Sequence, residues 1–320
     1  MLAASDFLTA VTLLASHRRQ RGGKGVSCKR ADVLRLALDE YQSHAPEVER
    51  GLMAAQRLLL RERIFEAQNI PYTTQLIPLG VICSIVGERF EQEAVKAKLA
   101  RWYWCGVFGQ LYGSATEGRF AFDAVQVPVW IGGGEEPRTV RDASFAPVRL
   151  LSMQSRLSAA YKGLMALLLQ KGSLDFVGGD SIELTTYSEL GIDIHHVFPK
   201  KHCLGKKYPR EKWNSVVNKA PLTAKTNRAI GGSAPSDYLA KIEKSSAMAP
   251  ERLDEILRTH MIDPVALRND AFDTFLRHRA AGLLDLIERA TGKAVVGRDS
   301  EETVNAFGGS LVANAIATMP

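Results

Sequence analysis

The sequence predicts a mainly α-helical protein with one small region of strands in its second half. From Ala4 to about Leu111 the apolar residues recur at helical spacing. Further helix-like segments fall at 147–170, 236–241, 250–259 and 270–290. Between them, residues 173–190 place short apolar runs on both sides of V-G-G-D, which is typical of a hairpin. Val216, Val217 and Leu222 suit a second strand, and Thr223 suits the cap of a helix over 224–230.

The length predicts two domains. A chain of 320 residues is that of about two ordinary domains. Residues 125–140 contain two prolines and three consecutive glycines, which indicates a linker. We therefore predict a helical domain over 1–140, a second domain with flanking helices over 141–296, and a poorly ordered tail over 297–320.

Composition excludes several classes of protein. The chain is 46% hydrophobic, which is enough to form ordinary cores, and it lacks an apolar run of about 18 residues that could cross a membrane. Its first arginines, Arg18 and Arg19, follow the apolar amino-terminal stretch, the reverse of a secretory signal, so we expect a cytoplasmic protein. The four cysteines form no C-x-x-C pair, which predicts free thiols and no zinc knuckle.

The positive charge is concentrated in two segments. The net charge is only +6, but residues 18–30 carry six basic residues and no acid. Residues 200–228 carry nine basic residues and one acid, a net charge of +8 that exceeds the +6 of the whole chain. Such local excess indicates contact with a polyanion, although a solvated basic face would look the same.

The segment with the most chemical information runs from Gly191 to Lys200 and contains two adjacent histidines beside an acid. In a strand, Asp193 and His195 would lie on one face and His196 on the other. A simple hydrogen bond between Asp193 and His195 would explain that pair without any catalysis. Asn218 and Asn227 follow nine residues apart, on a strand-then-helix pattern.

These two halves together resemble the motif of the HNH, or ββα-metal, nucleases. In that family D-x-[DH]-H-[IV]-x-P pairs with N-K-x-x-L-x-x-x-x-N-R. This chain has D-I-H-H-V-F-P at 193–199 and N-K-A-P-L-T-A-K-T-N-R at 218–228. The resemblance implies a small ββα-metal unit embedded in further helices.

The chain from 1 to about 295 is also similar to the carboxy-terminal part of GmrSD-type, modification-dependent restriction proteins. The similarity rests on A-R-W-Y-W at 100–104, L-Y-G-S at 111–114, K-G at 162–163, and N-R at 227–228 followed by G-G-S-A-P-S-D-Y-L at 231–239. Those proteins typically begin with a ParB-like, nucleotide-using domain bearing D-G-Q-Q-R, and this sequence has no such segment. The resemblance therefore implies that such a domain was lost, forms a separate subunit, or lies outside this chain.

The resemblance implies a role for each motif residue. His196 would be the general base, and His195 and Asn227 would hold one divalent cation, with Asp193 as a further ligand or support. Asn218 would hold the loop between the strands or fix His196. The cation would be Mg²⁺ first, with Mn²⁺, Ni²⁺ or Zn²⁺ as alternatives because an imidazole ligand is softer than a carboxylate. Phosphate contacts are expected from Lys200, Lys201, Lys225 and Arg228.

The implied function is hydrolysis of double-stranded DNA in a bacterial restriction or antiphage defence system. A homodimer would place two active sites on two strands. A non-catalytic DNA-binding or regulatory subunit, and a nicking or RNA-cleaving nuclease, remain alternatives. Trp102, Tyr103 and Trp104 would suit stacking on an extruded base, but aromatic residues inside a long helix more often form a core.

Overall fold

In the computed structural model the described residues are 2–20, 25–114, 116–182 and 193–312, with the side chain of Asp193 left out. The chain divides into two compact units, Met1–Ser144 with Ala290–Gly292, and Phe145–Arg289 with Lys293–Pro320. The predicted boundary stood at residue 140. The prediction of a mainly α-helical protein is confirmed.

Among the described residues, the first unit contains seven α-helices and several short 3-10 helices. The α-helices are α1 (Ala4–Arg19), α2 (Arg30–Val33), α3 (Leu38–Arg61), α4 (Leu76–Val86), α5 (Glu93–Phe108), α6 (Glu117–Ile131) and α7 (Arg138–Asp142). Helix α6 continues through Pro128, so residues 125–131 are helical and not part of a linker. The apolar residue Val127, preceding this proline, is buried in the core, which favours the helix over a solvated connection.

Helices α3 and α4 of this unit pack closely because glycine lies at their crossing. A Cβ atom added at Gly51 would lie 2.1 Å from the carbonyl oxygen of Gly80, so no larger residue fits without movement. The aromatic run on α5 is fully interior, since Trp102 and Tyr103 are 0% exposed and Trp104 is 1% exposed. Of the two readings of this run, the structure supports core packing.

The second unit holds the remaining elements. They are α8 (Arg149–Ser152), α9 (Ala159–Gln170), β1 (Asp193–His196), α10 (Lys200–Gly205), α11 (Arg210–Trp213), β2 (Lys219–Leu222), α12 (Ala224–Ile230), α13 (Pro235–Ser246), α14 (Pro250–Thr259), α15 (Pro264–Arg268), α16 (Phe272–Thr291) and α17 (Glu301–Phe307). Strands β1 and β2 form an antiparallel two-stranded sheet. Of the predicted hairpin at 173–190, the structure describes a single bridge between Leu174 and Ser181, and residues 183–190 lie outside the described part.

Two sequence expectations for this unit are wrong. The poorly ordered tail is wrong over 297–312, because α17 forms there and buries Thr303 and Phe307, with Leu311 buried after it. Residues 313–320 lie outside the described part. The strand expected at Val216 and Val217 is a 3-10 turn, and β2 begins only at Lys219.

The state of the cysteines and the character of the helices agree with the expectations from the sequence. All four cysteines are free and buried. Within the described residues, no helix combines the length and the apolar character needed to cross a bilayer.

Candidate active site

The two short strands set the order of the motif residues. The register pairs Asp193 with Leu222, Ile194 with Pro221, His195 with Ala220 and His196 with Lys219. Because the strands are antiparallel, the amino end of β1 lies beside the end of β2 from which the chain enters α12. Strand β1 ends at His196. Adjacent side chains point to opposite faces only within a regular strand. Because β1 ends at His196, the alternation need not continue there, and both histidines can face one site.

Helix α12 begins where the sequence predicts and is held at its first turn. The Thr223 hydroxyl accepts a hydrogen bond from the Thr226 amide at 3.1 Å, as an N-cap does. The Asp175 carboxylate accepts from the Thr223 amide at 3.0 Å and from the Thr226 hydroxyl at 2.6 Å. It also accepts from the amides of Val177 and Gly178, each at 3.1 Å. One carboxylate thus fastens α12 to the turn after α9.

Asp175 is a buried anion that its donors keep charged. The side chain is 3% exposed, and burial alone would raise the pKa of its carboxyl group. The Thr226 hydroxyl and the Thr223 and Gly178 amides outweigh burial, and the pKa lies below its ordinary value. Sequence reasoning placed Asp175 only in a hairpin. Its signal was an Asp three residues before Gly-Gly, which favours a turn capped by the Asp side chain.

His196 lies half-buried against the aromatic ring of Trp213, with the ring centroids 5.6 Å apart. Its Nε2 atom is 3.3 Å from Oδ1 of Asn214. Burial lowers the pKa of His196, and the hydrogen bond to Asn214 opposes that effect only in part. At neutral pH the imidazole is therefore neutral, which is the form able to accept a proton.

Asn218 fastens the loop that follows β1. Its Oδ1 accepts from the Phe198 amide at 2.8 Å, and its Nδ2 donates to the carbonyls of Phe198 at 2.9 Å and Trp213 at 2.8 Å. The side chain is 0% exposed. Both amide protons are used inside the loop, so Asn218 acts on the site by holding the chain around His196. The Tyr238 hydroxyl adds a bond to the Val197 carbonyl at 3.0 Å.

The other motif residues lie on β1 and α12. His195 is half-buried on β1, and Asn227 is exposed on the two-turn helix α12. The backbone of Asp193 is in β1, opposite Leu222, and its side chain is outside the described part. Among the described side chains, no group of three or more His, Cys, Asp or Glu residues has the arrangement of a metal site.

The four expected phosphate-binding residues are exposed on two helices. Lys200 and Lys201 lie in the first turn of α10, and Lys225 and Arg228 lie on α12. The Lys201 side chain packs on Gly232, just after α12, since a Cβ added there would meet Lys201 Cδ at 3.1 Å. Among described carboxylates, none is an ion-pair partner of these four residues. These four residues are called the basic surface below.

Two basic regions behave differently from the sequence expectation. Arg18 pairs with Glu47 at 2.8 Å and Arg19 pairs with Glu40, which neutralises part of the amino-terminal charge. Lys219 is buried, with 8% exposure, and its Nζ donates to the Gln154 carbonyl at 2.7 Å. Burial lowers the pKa of Lys219 to about 8. Lys219 is thus a structural residue and does not belong to the basic surface.

A buried arginine and a buried histidine hydrogen-bond to backbone carbonyls of segments near the site. Arg279 on α16 is 0% exposed and donates to the carbonyls of Val217 at 2.6 Å and His260 at 3.0 Å. His260 lies 2.7 Å, through Nε2, from the Leu174 carbonyl, so that nitrogen carries the proton. Burial lowers the pKa of Arg279 to about 9 and that of His260 to about 4. Sequence reasoning missed both residues, because each acts through contacts between distant segments.

The comparisons with known proteins define no family for this chain. No protein-family model matches it, and no solved structure gives a significant match. It is 30% identical over 178 residues to an uncharacterized protein of the archaeon Methanocaldococcus jannaschii. The matched region covers 52% of this chain and 30% of that relative. The chain thus spans less than a third of the relative's length.

Replacing Asp175 is expected to destabilise the second unit. In Asp175→Asn an NH₂ group replaces one of the two acceptor oxygens, so a buried donor of Thr223 or Thr226 loses its partner. We expect a loss of about 2 to 3 kcal/mol in the free energy of unfolding, measured by urea denaturation. Asp180→Asn is the matched control, because its exposed side chain should change stability by less than about 0.5 kcal/mol. Equal stability of both variants would contradict this role of Asp175.

His260 is expected to make stability depend on pH. The unfolded chain protonates this residue below about 6.5, whereas the folded chain resists until about 4. The unfolded state therefore binds more protons in that window, and stability falls as pH drops from 6.5 to 4. Relative to His260→Gln, the wild type should lose up to about 3 kcal/mol across the window, measured by denaturation at several pH values. A constant difference between the two proteins would exclude this coupling.

Proposed function

We propose that this chain is a metal-dependent HNH endonuclease that hydrolyses phosphodiester bonds of double-stranded DNA. The observation that carries the proposal is the placement of both halves of the motif. D-I-H-H lies on β1, N-K-A-P-L runs into β2, and T-N-R lies on the helix that follows. This order of strand, strand and helix is the one that the resemblance implies for a ββα-metal unit.

His196 would act as the general base. A half-buried, neutral imidazole at the end of a strand can take a proton from a water molecule near neutral pH. The oxygen of that water then bonds to phosphorus, and the bond between phosphorus and the 3′ oxygen breaks. The departing oxygen takes its proton from solvent.

The residues around His196 are compatible with one divalent cation. His195 offers an imidazole nitrogen, Asn227 an exposed amide oxygen and Asp193 a carboxylate at the amino end of β1. This mixed set suits Mg²⁺, Mn²⁺, Ni²⁺ or Zn²⁺, and so few protein ligands leave positions for water and phosphate. When bound, such a cation supplies charge stabilisation for the leaving 3′ oxygen.

The basic surface would hold the DNA backbone. Lys200, Lys201, Lys225 and Arg228 are exposed cations on the two helices that follow β1 and β2. Phosphate contacts give affinity without sequence information, so base recognition would come from elsewhere. A foreign or modified DNA in a bacterial restriction or antiphage system, a cytoplasmic location, a ParB-like partner domain or subunit and a homodimer all remain parts of this proposal.

Loss of His196 is expected to abolish cleavage and leave the fold intact. We expect wild-type protein to nick or linearise supercoiled plasmid, or modified phage DNA, with Mg²⁺, Mn²⁺ or Ni²⁺ and not with EDTA. His196→Ala should lower the rate by about 10²-fold or more, because the base is gone. The control His44→Ala removes a histidine of the first unit and should cleave at the wild-type rate. Metal-independent cleavage, or full activity of His196→Ala, would refute the mechanism.

The basic surface is equally compatible with a DNA-binding subunit that has no catalytic activity. Measurements of DNA binding test the role of this surface separately from catalysis. Replacing Lys200, Lys201, Lys225 and Arg228 by Ala should weaken DNA binding and reduce the slope of log affinity against log salt by about 3 to 4. Ala at exposed Lys241 and Lys244 on α13 is the matched control and should keep the slope. Binding without cleavage by any metal would favour the non-catalytic subunit, and single-strand nicks or RNA cleavage would define the other alternative.

A further inference from the structure

Three polar side chains form a connected series behind His196. His196 Nε2 lies 3.3 Å from Oδ1 of Asn214, and Asn214 Nδ2 donates to Oε1 of Gln154 at 3.3 Å. Gln154 Nε2 in turn donates to the Leu151 carbonyl at 3.4 Å. The series therefore runs from the end of β1 to the chain just after α8.

The directions of these hydrogen bonds determine which ring nitrogen carries the proton. Since Gln154 Nε2 is engaged with a carbonyl, the atom that Gln154 turns to Asn214 is an oxygen, which only accepts. Asn214 must then present its NH₂ group to Gln154 and its oxygen to His196. An amide oxygen only accepts, so the hydrogen in the bond to His196 belongs to Nε2. The lone pair of the neutral ring is consequently on Nδ1.

The backbone also holds Asn214 in place. Asn214 follows the last residue of α11, and its backbone amide donates to the carbonyl of Arg210, the first residue of that helix, at 2.9 Å. The preceding carbonyl, that of Trp213, accepts from the buried Asn218 side chain at 2.8 Å. The Trp213 ring lies beside the His196 ring. The position of Asn214 thus depends on the same loop that surrounds the histidine.

We infer that Asn214 is a positioning residue for His196, and that Gln154 determines its orientation. Asn214 keeps His196 in the Nε2–H tautomer, so that Nδ1 is the nitrogen that accepts the proton of the attacking water. The bond from Nε2 becomes charge-assisted once the ring is protonated, which stabilises the imidazolium. This inference rests on the proposed nuclease function for its consequence, although the tautomer itself is a property of the protein without DNA.

The tautomer is measurable on the full chain. Long-range ¹H–¹⁵N correlation of ¹⁵N-histidine-labelled protein, without metal or DNA at a pH of about 8, distinguishes Nε2–H from Nδ1–H in a neutral ring. His196→Ala identifies the signal. We expect Nε2–H in the wild type. A wild-type signal of the Nδ1–H form overturns the inference.

A pair of substitutions at Gln154 tests the orientation of Asn214. Gln154→Lys offers only donors, so the Asn214 amide should turn over, donate to His196 Nε2 and favour the Nδ1–H tautomer. Gln154→Glu keeps an acceptor and is the matched control that should keep Nε2–H. Cleavage should fall about 10-fold to 100-fold in Gln154→Lys, the usual loss when a supporting hydrogen bond is removed. An unchanged tautomer and an unchanged rate in Gln154→Lys would refute the role of Gln154.

Asn214 itself is tested by loss and rescue. Asn214→Leu removes the acceptor and should lower cleavage by about 10-fold to 100-fold, whereas Asn214→Asp retains an oxygen and should restore most of the rate. Equal rates in the two variants would contradict the assignment. If the wild-type protein cleaves no nucleic acid with any metal, the proposed function fails, while the tautomer measurement still decides the inference.

Discussion

The buried amide of Asn218 is the constraint on which the candidate site depends. A sheet of two four-residue strands is marginal by itself in water. Three hydrogen bonds from one side chain join the loop after β1 to the end of α11, where Trp213 and Asn214 contact His196. The amide has 0% exposure, so water does not compete for these bonds.

Buried polar groups outside the sheet extend this constraint to the surrounding helices. Arg279 binds the carbonyl of Val217, one residue before Asn218, and Tyr238 binds the carbonyl of Val197. On the other side, Asp175 fastens the first turn of α12. Each of these groups loses its hydrogen bonds to water on burial, and a specific protein partner supplies the hydrogen bond that compensates for them. The two strands therefore have a defined position although they contribute little stability themselves.

The same arrangement separates two electrostatic environments. Inside, burial keeps His196 neutral and lowers the pKa of Lys219 to about 8. Outside, the basic surface remains exposed on α10 and α12. A nuclease needs both, since proton transfer favours a neutral imidazole and phosphate binding favours hydrated cations that release counterions. The proposed function is thus supported by the division of charge as well as by the motif.

The sequence by itself determined the mainly helical class, the buried aromatic run on α5, and helix α12 with its Thr223 cap, because periodicity and capping are local properties. The resemblance to the HNH motif, and not any local periodicity, singled out His196, Asn218 and Asn227 as candidate site residues. Sequence reasoning misjudged Val216 and Val217, which suit a strand by propensity but form a turn where Asn218 and Arg279 bind the chain. It misjudged 297–312 as well, because the burial of Phe307 depends on residues distant in the chain. Only the tertiary structure decided that Asp175, Asn214, Gln154 and Arg279 support the site, since hydrogen bonds between segments 18 to 62 residues apart leave no periodic trace in a sequence.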